Sequence, residues 1–155
     1  MNAPAHYAIG AASALFIQKY LPVESGPETR IIWALMVAIG SHVVADAIPH
    51  SGHFLRGFYL VLELIVWTII MLVLLVGASR TPLLAMIILA GMVGAAIPDG
   101  FSVLSRIVGW PILVWVNNGL HFYHGKLPFV YANVWVQLVI TVLCSIYVRI
   151  KAGAA

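Results

Sequence analysis

The chain has 155 residues, 63% hydrophobic and only 8% charged, with a formal net charge of +3 and a mean hydropathy of +1.03. A soluble domain carries about 25% charged residues, so a water-soluble globule and a disordered chain are both excluded. A single integral membrane domain over residues 1–155 is predicted, all-α and polytopic.

Basic residues and prolines cut the chain into six apolar stretches, to be compared with the roughly 17–25 residues that a span needs. The first covers about residues 5–21. It lacks a basic flank at its start, so a cleaved signal peptide is not expected. The second covers about 31–48 and is stopped by Pro49. The third, about 57–79, is the most continuously apolar, and Arg80, Thr81 and Pro82 then turn the chain, with Pro82 suited to the first turn of a helix. The fourth runs about 83–97 and is stopped by Pro98. The fifth, about 101–116, contains Arg106, Gly109 and Pro111, a costly combination in lipid. It is predicted to be interfacial or re-entrant. The sixth covers about 127–150. About five transmembrane helices and one interfacial segment are therefore expected.

The eight Lys and Arg stand singly along the chain, which leaves no basic stripe for nucleic acid. With five crossings, Lys19, Arg30, Arg80, Arg149 and Lys151 share one face, and Arg56, Arg106 and Lys126 share the face of the N-terminus. The bias places the C-terminus in the cytoplasm. Cys144 lies in an apolar run with no second cysteine, so it has neither a disulfide partner nor a metal knuckle to join.

Of five acids, Glu24 and Glu28 fall in the first polar loop, while Asp46, Glu63 and Asp99 lie in or at the ends of apolar stretches. Ionisable groups in such places mark function. The densest run is Ser41-His42-Val43-Val44-Ala45-Asp46-Ala47-Ile48-Pro49-His50-Ser51-Gly52-His53. His42 and Asp46 share a helix face at i, i+4, and His50 and His53 follow on the turn after Pro49. Imidazole with carboxylate suits Zn²⁺ or another first-row divalent metal. The competing reading makes these headgroup-facing histidines, with His42 a helix-packing residue. Asp99, after Ile97-Pro98, is either a ligand or base, or the N-cap of a following helix. His121 and His124 form a His-x-x-His pair that suits a metal or an interfacial belt. Glu63 is expected to face the bundle and meet a polar group from the second stretch or the His121 segment. With five crossings, His6, Asp46, His50, His53, Glu63, Asp99, His121 and His124 all reach the N-terminal face, where one ion or two would fit.

These motifs, His6 on a short first helix, Ser41-His42-x-x-x-Asp46-x-x-Pro49-His50, Ile97-Pro98-Asp99 and His121-x-x-His124, together resemble the predicted membrane-bound metal-dependent hydrolases of bacteria. There are more distant echoes of zinc-dependent phospholipase C. The resemblance implies a divalent metal held by His and Asp, and hydrolysis at the membrane. The form Pro-Asp-x-Asp-His common in such proteins is not matched here, because Asp46 precedes Pro49 and Gly100-Phe101 follow Asp99, so the number of ions stays open.

The leading expectation is a metal-dependent hydrolase in the bacterial inner membrane, acting on a lipid-like phosphoester or ester. His6, Asp46, His50, His53, Asp99, His121 and His124 are the ligand candidates. Glu63 or Asp99 would be the general base, and Arg56 or Arg106 would neutralise a phosphate. Membrane lipid is the expected partner. Two alternatives stand beside it. One is a non-catalytic protein with a structural His/Asp site, and the other a small transporter or proton relay using Asp46, Glu63 and Asp99.

Overall fold

The computed structural model describes residues 3–50, 58–121 and 133–154. Among the described residues, six α-helices run in chain order: α1 Ala3–Ile17, α2 Pro27–Asp46, α3 Phe58–Leu75, α4 Pro82–Val108, α5 Pro111–Leu120 and α6 Val134–Ala154. A 3₁₀ turn at Val76–Ala78 follows α3. Four of the helices, α2, α3, α4 and α6, are long and apolar enough to cross a membrane. The fold is thus a helical membrane bundle, as composition required. At 15 residues, α1 is about 22 Å long and falls short of a full hydrocarbon thickness of about 30 Å.

The helix starts are locally encoded. Pro27 and Pro82 occupy first-turn positions, and the Thr81 side chain accepts from the Leu84 amide, satisfying one of the donors that a helix start leaves open. Arg30 secures the α1–α2 connection by donating to the carbonyls of Ser25, Pro22 and Val23.

Two expectations about the fourth and fifth stretches are corrected. Pro98 does not end a helix, because α4 continues through it to Val108. Asp99 therefore lies inside α4, one residue past the proline, and caps no helix of its own. Proline removes a single backbone donor and crowds the preceding turn. In membrane helices neighbouring elements compensate, and Pro98 is itself buried. The chain turns instead at Gly109, whose φ of 68° is left-handed backbone open to glycine at little cost. The short α5 then folds back against α4, exposing Trp110, Ile112 and Trp115.

The centre of the bundle is α1, packed against α2, α4 and α6 and, less extensively, α3. Ala5, Ala8, Ala11 and Ala14 are fully buried along it. A Cβ on Gly10 would run into the Gly91 carbonyl and lie 2.6 Å from the Ala95 Cβ. One on Gly94 would lie 2.6 Å from the Leu35 carbonyl oxygen. Small residues thus let α1 and α2 both approach the middle of α4 closely, the usual solution where lipid removes the hydrophobic drive between helices.

This packing gathers polar groups at one end, where α1 begins, α2 ends, α4 passes Pro98 and α5 stops. At the opposite end Lys19, Arg30 and Lys151 border one cavity of about 300 Å³.

Candidate metal centre

His42, Asp46, Asp99 and His121 each offer a ligand atom, and these atoms lie within 4.8 Å of one another. Asp46 closes α2, and one turn earlier His42 sits on the same face. His42 Nε2 is 3.2 Å from Asp46 Oδ2 and 3.9 Å from Asp99 Oδ1. From the end of α5, His121 Nε2 comes to 3.8 Å from Asp46 Oδ2 and 3.7 Å from Asp99 Oδ1. Two residues separated by most of the chain's length, His6 and His121, thus flank the same carboxylate, with His6 Nε2 3.2 Å from Asp46 Oδ1. His50 Nε2 is 3.9 Å from that oxygen.

The orientation of the rings is informative. His42 Nδ1 pairs with the Ala95 carbonyl at 2.7 Å, His50 Nδ1 with Ile48 at 2.8 Å and His121 Nδ1 with Asn117 at 3.0 Å. A carbonyl only accepts, so each Nδ1 donates. In the neutral ring, Nε2 then carries a lone pair, and here it is aimed at carboxylate oxygens. A lone pair facing an anion is stabilised only by a proton or a cation between them. His42 is fully buried, and its Nε2 has no hydrogen-bond partner. Backbone carbonyls that fix the tautomer and aim of an imidazole are the usual outer support of a metal site. Two imidazoles and two carboxylates suit zinc or a neighbouring divalent metal, so the residues present fit such an ion.

Burial is graded across the site. The Asp46 side chain is 4% exposed and that of His121 16%, while Asp99 is 53% exposed, so one edge is open. The Asp99 carboxylate raises the proton affinity of His121 above the ordinary imidazole range, against the opposing effect of partial burial.

Of the residues singled out from sequence, Asp46, Asp99 and His121 join the four-donor group, and His6 and His50 border it through Asp46. His53, His124, Arg56 and Lys126 lie outside the described residues. Glu63 is half-buried on α3, a helix that packs chiefly against α1 and α6, and the four-donor group does not include it. Arg106 is exposed in the last turn of α4, about 10 Å along the helix from Asp99. Ser41 donates to the Ala38 carbonyl. The residue that sequence reasoning undervalued is His42, weighed there as a packing residue. Its i, i+4 spacing to Asp46 was the available signal.

No protein-family model matches the chain, and neither a curated protein nor a solved structure does.

Proposed function

We propose that this chain is a metal-dependent hydrolase of the bacterial inner membrane, which holds a divalent ion, zinc by its donor set, with His42, Asp46, Asp99 and His121. The observation that carries the reading is the aim of the rings: carbonyls take the Nδ1 protons and turn Nε2 of two histidines onto the same pair of carboxylates. A divalent ion would supply Lewis acidity and an acidified water for attack on an ester or phosphoester. The residues do the rest. His42 and Asp46 form the buried wall, His121 closes it from α5, and the exposed carboxylate of Asp99 is placed to take a proton from water at the open edge.

A lipid-like substrate is supported by an apolar groove of about 680 Å³ along α1, α2 and α6, lined by Ile9, Val37, Gly40, Val44, Ile48 and Ile140 among others. Its lining includes Ile48, whose carbonyl holds His50, so an acyl chain lying there would run close to the site. The exposed edge at Asp99 favours an open catalytic site over a closed structural one.

The test is metal content and hydrolysis measured together. Purified protein in mixed micelles with a fluorescent phospholipid or a nitrophenyl phosphoester should bind zinc and release product, and Asp46→Ala should lose both. Bound metal that raises thermal stability without any hydrolysis would make the site structural and overturn the enzymatic reading. Absence of metal from the wild type would overturn the whole proposal.

A further inference from the structure

Asp46 touches four imidazoles, and its two oxygens face different pairs. Oδ2 faces His42 and His121, the two histidines that also meet Asp99. Oδ1 faces His6 at 3.2 Å and His50 at 3.9 Å. The four-donor group accounts for the first half of this arrangement. His6 and His50, on the other oxygen, lie outside that group.

His6 shows why the second half needs a ligand. Its residue is 2% exposed, and neither ring nitrogen has a hydrogen-bond partner. Its Nε2 lies 3.2 Å from Asp46 Oδ1. Buried polar groups are almost always satisfied, and one that is not calls for an explanation. The ring is stacked on His42, with centroids 4.1 Å apart and planes 21° apart, so its orientation is held by packing. His50 is turned in the same way as the other histidines, because its Nδ1 donates to Ile48 and its Nε2 lies 3.9 Å from Asp46 Oδ1.

The geometry points to a second divalent-cation site formed by His6 Nε2, His50 Nε2 and Asp46 Oδ1, with Asp46 bridging it to the first. This inference rests on the metal reading proposed above. Two imidazoles and one carboxylate make the three-ligand set of catalytic zinc sites, which leaves a position for water or substrate. A carboxylate shared between two ions is the basis of two-metal hydrolytic centres. The stack of His6 on His42 then has a simple meaning: one ring from each site lies side by side over a common carboxylate.

The experiment uses the tag-free, full-length protein in detergent, loaded with Zn²⁺, desalted and analysed for metal per chain by mass spectrometry. Wild type should retain about two equivalents, and His6→Gln and His50→Gln about one each. Mn²⁺-loaded wild type should show an exchange-coupled paramagnetic resonance spectrum, and His50→Gln the spectrum of isolated ions. If His6→Gln does not fold, His50→Gln and the wild-type spectrum decide. About one equivalent in wild type, unchanged in both variants, with an uncoupled spectrum, overturns the second site and leaves the first standing. A wild type that retains no metal overturns both, and so separates failure of this inference from failure of the reading beneath it.

Discussion

Replacing Asp46 by asparagine separates two ways in which four imidazoles can surround one carboxylate. His6, His42, His50 and His121 all bring Nε2 within 3.2–3.9 Å of its oxygens, and the side chain is only 4% exposed. If the cluster is a buried ion pair of imidazolium and carboxylate, removing the anion leaves a buried cation unpaired and costs about 3–5 kcal/mol. If the rings are neutral and prepared for metal, their Nε2 lone pairs face the carboxylate, and the asparagine amide instead offers N–H donors. Metal-free Asp46→Asn should then be at least as stable as wild type. Zinc reverses the order. At about 100 times Kd it stabilises the wild type by about 2.7 kcal/mol, or roughly 5–11 °C for a chain of this size at about 2–4 °C per kcal/mol. Thermal unfolding in detergent, with chelator and then with zinc, provides the assay. The expected result is a zinc-dependent rise in wild type only. A variant that melts far below wild type in chelator, with zinc moving neither protein, would refute the reasoning and leave an ion-pair cluster.

His42→Ala should abolish zinc retention as completely as Asp46→Ala and also lower stability by about 0.5–1.5 kcal/mol, because it removes the buried hydrogen bond from Nδ1 to the Ala95 carbonyl; metal analysis and melting curves read the two effects separately. For pH, the raised proton affinity of His121 works in opposite directions with and without metal. In the metal-free protein its contribution to stability is fully present below the unfolded imidazole value of about 6.5 and is lost as pH rises through its higher folded value. Zinc must displace those protons, so zinc affinity rises over the same range. Titration calorimetry and melting from about pH 5.5 to 8.5 should show the two trends crossing, and parallel trends would count against the site. Gly91→Leu should loosen the bundle and lower the melting temperature, since even a Cβ there would sit 2.6 Å from the Gly10 carbonyl oxygen and overpacking costs about 1–3 kcal/mol or more. Gly100→Ala, where a Cβ would meet nothing within 4 Å, should melt like wild type.

Membrane residence and the helical class were legible because hydropathy is a local sum, needing no knowledge of what each helix touches. The start of α4 at Thr81-Pro82 was legible for the same reason. The meeting of Asp46 with Asp99 was legible through a different route. Each crossing sends the chain to the other face, so counting crossings placed both acids at the same end. The fate of Pro98 was not legible. Its penalty is local, whereas the packing of α4 against α1 and α2 at Gly91 and Gly94 is distributed over three helices and carries the helix onward.

The choice of donors also belonged to the tertiary structure. Sequence spacing put His42 and Asp46 on one face but left His42 weighed as a packing residue. Its role depends on the Ala95 carbonyl 2.7 Å from Nδ1, a contact made possible by the close approach of α2 to α4 at Gly94. In the same way, only the assembled bundle decides that one oxygen of Asp46 faces His6 and His50 while the other faces His42 and His121. Spacing along a helix determines which side a residue occupies. The aim of a ring nitrogen depends on torsions and interhelical distances held to fractions of an ångström by partners remote in sequence.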